Sequence, residues 1–267
     1  MRTRRTDLVH RLAYSWTGRP KTEPFPPNPT EDFLAALDNA WQSDGLLRIS
    51  HRWQPDLIQL TFDAPPHVSP EFIAARAKGR LDHALRKDGW PHGFARSVSL
   101  RSLGENTLDV VLSYIATQLD RADLADPRYV QSLGRAAWTD GDVDLAEPLS
   151  GSHGRYWYNL HLVAVTDRRW RFGREDFLTK IPAAIRAWSK AMSNEGRAGE
   201  RRPGVHSLAV MPDHVHLSVR GPCARSPDEI AGSLREALNR AAGCRLFDPR
   251  VYAGTFSTYP LSHIRPR

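Results

Sequence analysis

Two short patterns carry groups that could act on a phosphate ester. His214-Val215-His216 sets imidazoles at i and i+2. On a strand both leave from one side, which suits a divalent cation. Tyr114 and Gln118 stand four apart, so on a helix they share a face. An ordinary phenol titrates near about 10. A tyrosine nucleophile therefore needs a proton acceptor or a target polarised by a cation. Neutral imidazoles suit Mn²⁺ or Zn²⁺ better than Mg²⁺, which prefers oxygen ligands. Either pattern alone is common, as a surface histidine pair or as helix packing. Asp213 could orient a histidine, but Asp56 holds the matching place before Leu57 and Gln59, which favours a turn role. His161, one strand away, reads as structural.

The elements that must position these groups follow from spacing. Tyr158 to Thr166 is rich in strand formers. Glu175 to Met192 carries Phe177, Leu178, Ile181, Ile185 and Trp188 on one helical face, with Pro182 near the first turn. Val205 to Val210 and His214 to Val219 are short apolar stretches joined by Met211-Pro212-Asp213, which is turn chemistry. Ser226-Pro227-Asp228-Glu229 starts a helix that runs to about Ala242, where Gly243 ends it. Val251 to Ser257 is a last strand. The order is β-α-β-β-α-β. The first half gives the same order, closing with a strand at Phe94 to Leu100. A further helix follows, capped at Asn106 or Thr107 and buried through Leu108, Val111, Leu112, Ile115 and Leu119.

The two halves are related. Pro55 to Arg86 aligns without a gap to Pro212 to Gly243, with ten identities where average composition gives roughly two. The fold class is thus α+β: two tandem ferredoxin-like (βαββαβ) repeats, the first followed by an extra Tyr-bearing helix. The expected domains are 1–134 and 155–267, joined by a linker at 135–154. The Gly/Arg/Glu-rich stretch Ser193 to Gly204 reads as an inserted loop.

MPDHVHLSV resembles the HUH motif (His, hydrophobic residue, His) of single-tyrosine transposases. These are the small insertion-sequence transposases and the REP-associated tyrosine transposases. YIATQ is similar to their nucleophile helix, and YNLHLVAVTDRR resembles their first strand. The resemblance implies a metal-dependent enzyme, using Mg²⁺ or Mn²⁺, that cuts and rejoins single-stranded DNA. Tyr114 would be the catalytic nucleophile, forming a 5′-phosphotyrosine and freeing a 3′-hydroxyl. His214, His216 and Gln118 would be the metal ligands. Members act as homodimers, many with the Tyr helix of one subunit completing the site of the other. This chain departs from the pattern, because Leu57 and Gln59 replace the first-half imidazoles and no Tyr helix follows the second half. The reading that follows is a fused pseudo-dimer with one composite site. The alternative is a catalytically inactive DNA-binding protein that recognises a sequence or hairpin. A metal-binding structural protein without a DNA substrate is a third possibility.

Composition fits DNA as the partner. Lys and Arg number 37 against 30 Asp and Glu, a formal charge of +7, and a basic balance favours nucleic acid. Candidate DNA-binding residues are Arg76, Lys78, Arg80, Arg86 and Lys87 on the second helix of the first half. Arg96 and Arg101 flank its last strand, and Arg235, Arg240 and Arg245 are the second-half counterparts. The expected substrate is single-stranded DNA carrying a hairpin, and further homodimerisation is compatible with one site per chain. Hydrophobic residues at 40% and charged residues at 25% exclude a wholly disordered chain. No apolar run is long enough to span a bilayer, so no membrane partner is expected. Two cysteines, Cys223 and Cys244, cannot build a disulfide scaffold, and a cytoplasmic setting is expected.

Overall fold

A computed structural model describes residues 8–90, 93–151, 154–172, 175–195 and 201–263. Positions 196–200 of the expected inserted loop, 152–153 of the expected linker, and the two ends of the expected domains (1–7 and 264–267) lie outside the described residues.

The protein is α+β. Its first part runs β1 (Leu8–Arg11), β2 (Ala13–Gly18), α1 (Glu31–Ser43), β3 (Leu47–Gln54), β4 (Leu57–Asp63), α2 (Pro70–Lys87), β5 (Val98–Leu103), α3 (Leu108–Ala116) and α4 (Pro127–Ala136). Two short strands follow, β6 (Trp138–Thr139) and β7 (Leu149–Ser150). The second part runs β8 (Gly154–Trp157), β9 (Asn159–Thr166), α5 (Glu175–Ser193), β10 (Gly204–Met211), β11 (His214–Arg220), α6 (Pro227–Ala242) and β12 (Phe247–Phe256).

Local chemistry accounts for the boundaries. Ser69 and Ser226 cap α2 and α6, each followed by proline at the first helical position. Around Ser226 a full capping box forms, because the Glu229 carboxylate takes the Ser226 backbone N–H. Gly243 ends α6 at φ 70°, a left-handed conformation that favours glycine. Pro212 and Asp213 make the two-residue turn between β10 and β11. Several placements differ from expectation, among them the last strand, which begins at Phe247 rather than Val251. The last first-half strand begins at Val98 rather than Phe94, because Phe94 instead bridges to Pro20 and packs on Trp16, Phe25 and Trp90. Pro182 lies inside α5 rather than near its first turn.

Among the described residues the strands form two six-stranded sheets, ordered β3-β4-β2-β5-β8-β7 and β1-β12-β9-β11-β10-β6. The central orders β3-β4-β2-β5 and β10-β11-β9-β12 are equivalent, and both carry a register shift at the same place, between Arg48 and Ser50 and between Val205 and Ser207. Each half also lends a strand to the other. β1 pairs in parallel with β12, and β8 pairs in parallel with β5. The chain crosses between sheets at the buried Leu12 and Tyr158. Even the loops reciprocate, with Glu71 N–H donating to the Cys223 carbonyl and Asp228 N–H to that of Pro66. The expected linker carries secondary structure. It holds the end of α4, β6, β7 and the start of β8, and the boundaries 134 and 155 do not separate the sheets, since β1 belongs to the second and β7 to the first.

One core cluster spans both halves, from Trp16, Trp41, Leu60 and Leu81 to Leu162, Ile185, Leu217 and Leu234. Helices α5 and α6 supply Ile181, Ile185, Leu234 and Leu238 to it, and β11 supplies Val215, Leu217 and Val219. Burial of these apolar groups is the main driving force. Strand alternation then turns the remaining side chains of β11 and β9 to the other face. No helix among the described residues is long and apolar enough to cross a membrane.

Candidate active site

The imidazoles sit where alternation puts them. Val215 and Leu217 enter the core, so His214 and His216 leave on the opposite face. On the neighbouring β9, Leu160, Leu162 and Ala164 are in the core, while His161, Val163 and Val165 face the same cleft. His216 pairs with Val163 in register and stands diagonal to His161. The His161 and His216 rings are stacked at 5.4 Å and 17°, with Nε2 of His161 3.2 Å from Nδ1 of His216. The His214 and His216 ring centres are 4.8 Å apart. Asp213 Oδ1 meets His214 Nδ1 at 2.5 Å, and Arg169 donates to Asp213 Oδ2 at 3.3 Å. Asp213 thus contacts His214 and Arg169 besides turning the chain, and His161 lines the same cleft as the paired imidazoles.

Electrostatics follow burial. His161 is pulled down to about 4 by desolvation. His216 falls to about 3 through desolvation, helped by His214 and His161. Both are neutral at physiological pH. Burial disfavours the Asp213 carboxylate, but the His214 hydrogen bond and Arg169 outweigh it, and its pKa is lowered.

The phenol arrives from the other half. Thr107 caps α3 through the Val110 N–H and bridges to Ser257 at the end of β12. Val111 and Ile115 then pack with Ala209 and Phe256 on the outer face of the second sheet. That docking sets the Tyr114 ring 5.5 Å from His216 and 5.8 Å from His161, centre to centre. Tyr114 is 37% exposed, and the Arg121 guanidinium lies over its ring at 5.6 Å. Tyr114, His161, Arg169, His214, His216 and Tyr252 share one cleft of about 670 Å³. Arg169, which lines the cleft, and its neighbour Arg168 have φ of 56° and 52°, a conformation that costs energy in non-glycine residues and concentrates near functional sites.

Gln118 is placed differently from the sequence expectation. The helix ends at Ala116, so the i, i+4 argument runs past its last turn. The buried Gln118 amide folds back and donates to the Tyr114 carbonyl at 2.8 Å, and it is not on the cleft wall. In the first sheet the positions matching His214, His216 and His161 are Leu57, Gln59 and Ser15. Gln59 Nε2 donates to Ser15 Oγ at 2.9 Å, reproducing the diagonal contact without imidazoles.

The basic candidates do not gather at this cleft. Arg76 and Arg80 pair with Asp44, and Arg86 with Asp82. Lys78 donates to the carbonyls of Ala95 and Arg96. Lys87 and Arg96 are exposed. Arg101 is stacked between Trp157 and Tyr259, at 4.1 and 5.4 Å. Arg235 and Arg240 lie on α6, across the second sheet from the imidazoles, with the exposed Arg245 just beyond it. Two other cations stand at the site: Arg169 lines the cleft and Arg121 lies over the phenol. Strand alternation on β9 and β12 marks His161 and Tyr252 as neighbours, but only tertiary docking reveals Arg121.

A divalent cation is the group the resemblance implies. Among the described residues no set of three His, Cys, Asp or Glu side chains converges as a metal site, so the candidate donors are the two imidazoles plus neutral or substrate oxygens. His216 Nε2 is buried without a hydrogen-bond partner. A neutral imidazole nitrogen left open in this way fits a ligand, and the donor set is compatible with Mn²⁺.

No family model matches the chain, and no curated protein matches it. Among solved structures, a bacterial light-regulated adenylyl cyclase aligns with 87% of this chain at 8% identity and a TM-score of 0.17. The alignment covers 63% of that protein's chain, and a likeness this low carries no argument.

Proposed function

We propose that this protein is a DNA-nicking and strand-transfer enzyme of the single-tyrosine HUH transposase type, built as two tandem ferredoxin-like repeats fused in one polypeptide. The equivalent strand orders and matched bulges support the duplication. The observation that carries the functional reading is the meeting of Tyr114, from the first half, with His214 and His216, from the second, in one cleft.

Tyr114 Oη attacks a backbone phosphorus of single-stranded DNA. The new P–O bond forms on the phenol oxygen, and the P–O3′ bond breaks with its electron pair on O3′. The phenolic proton is released to water in the open cleft, and O3′ takes one up. The products are a 5′-phosphotyrosine and a free 3′-hydroxyl. One phosphodiester replaces another, so rejoining is the reverse reaction and needs no external energy source. His214 and His216 would hold a Mg²⁺ or Mn²⁺ ion, which when bound supplies charge stabilisation at the phosphate oxygens. Arg169 at the rim is placed to meet a phosphate. One composite cleft cuts one end at a time, so exchange of two ends calls for two chains.

The test is a covalent adduct. Wild type incubated with labelled, hairpin-flanked single strands and Mn²⁺ or Mg²⁺ forms a protein–DNA band that survives denaturing electrophoresis. Tyr114→Phe abolishes it while leaving DNA affinity within about threefold. An adduct that persists in Tyr114→Phe overturns the assignment. Salt-dependent binding without any wild-type adduct favours the inactive DNA-binding protein.

A further inference from the structure

The contact between His161 and His216 specifies more than proximity. We infer that His161 is a positioning residue: it accepts the His216 Nδ1–H and so holds His216 in the tautomer that leaves a bare lone pair on Nε2. The use of that lone pair rests on the reading that the paired imidazoles hold a cation. The tautomer assignment itself does not.

Three observations carry it. The first is the 3.2 Å approach of His161 Nε2 to His216 Nδ1. Between two neutral imidazoles only one of these nitrogens bears the proton. Were His161 the donor, the only proton of His216 would sit on Nε2, a buried atom without an acceptor. An N–H buried in that way is costly. With His216 as donor, Nε2 is a bare lone pair, unpartnered in this structure.

The second observation is the neighbouring histidine. His214 Nδ1 lies 2.5 Å from Asp213 Oδ1. An aspartate carboxylate accepts and does not donate. His214 therefore also carries a proton on Nδ1. Two unlike acceptors, a carboxylate and an imidazole, thus grip the same ring nitrogen of both members of the pair. Outer partners of this kind set the tautomer and ring orientation of metal-binding histidines.

The third is the first sheet. There Gln59 donates to Ser15 across the same diagonal. The direction matches, from the β4 or β11 residue to the β2 or β9 residue, so the fold provides the acceptor on that strand in both halves.

The experiment uses the full-length protein labelled with ¹⁵N-histidine, without added metal and near pH 7.5. Long-range ¹H–¹⁵N spectra distinguish a protonated from a bare ring nitrogen. The expected result is His216 with protonated Nδ1 and bare Nε2. A His216 protonated on Nε2 in wild type overturns the inference, and this measurement needs no variant to fold. In a second arm, Mn²⁺ affinity is measured by calorimetry. His161→Phe, which removes the acceptor, weakens binding about 10- to 100-fold, and His161→Gln, whose Oε1 accepts at similar reach, restores it to within about threefold. Unchanged affinity in His161→Phe also overturns the inference. If wild type itself binds no Mn²⁺ while the tautomer is as expected, the cation reading fails and the positioning contact stands.

Discussion

Acidification tests the site's electrostatics directly. His161 and His216 are neutral in the fold, held down to about 4 and about 3 by burial, whereas in the unfolded chain each titrates near about 6.5. Because the folded values lie below the unfolded one, the unfolded state binds protons first. The stability these groups contribute is complete above about pH 6.5 and is lost as pH falls toward the folded values. At about pH 5 each unfolded imidazole has gained about 1.5 pH units of protonation free energy, or about 2 kcal/mol per residue at about 1.4 kcal/mol per unit. The folded ring is still neutral there, so the pair together costs about 4 kcal/mol of stability. Asp44, Asp213 and Asp248 have lowered values, so their contribution is lost at lower pH. The assay is urea unfolding between about pH 7.5 and 5, with EDTA present to remove metal linkage. His216→Asn and His161→Asn should each flatten the stability-against-pH curve by about 2 kcal/mol over that window, whatever they do to absolute stability. A variant curve parallel to wild type would refute the argument, because it would mean that the imidazole is already solvated in the folded protein.

Other expectations concern the frame. A Cβ at Gly104 would collide with the Thr255 carbonyl oxygen and reach Phe256 Cα at 3.3 Å, both backbone atoms of β12. Gly104→Ala should therefore lower stability by about 1–3 kcal/mol in urea unfolding and disturb the entry to α3. Ser226→Ala removes the capping box of α6 and should cost about 1 kcal/mol in the same assay. Cys223 hydrogen-bonds to Glu71 and its thiol is pushed up to about 12, chiefly by burial. Alkylation of the native protein near neutral pH should therefore label the exposed Cys244 and leave Cys223 unmodified; mass spectrometry of the labelled peptides reads the difference.

Much of the scaffold was readable from residue order. Ser226-Pro227 before an apolar period and Gly243 after it mark α6 to the residue, because capping is local chemistry. Alternation alone sends Val215 inward and both flanking histidines outward. The offset that aligns Pro55–Arg86 with Pro212–Gly243 also relates the bulges just upstream, at Arg48/Ser50 and Val205/Ser207. Other features depended on contacts between segments far apart in sequence. The exchange of β1 and β8 is invisible in Leu8–Arg11 and Gly154–Trp157 themselves, since pairing depends on which edge is vacant. The expectation of Gln118 on the Tyr114 face assumed a helix that continues, but α3 ends at Ala116. The pairing of Arg76 and Arg80 with Asp44 likewise arises only when α1 and α2 pack together. Local propensity and period therefore set the elements and the inward face of each. Only the tertiary structure decided that α3 crosses to the second sheet, that His161 meets His216, and that Tyr114 stands beside both. Those contacts join residues as far apart as Thr107 and Ser257, 150 positions (257 − 107), and no local interaction specifies such a distance.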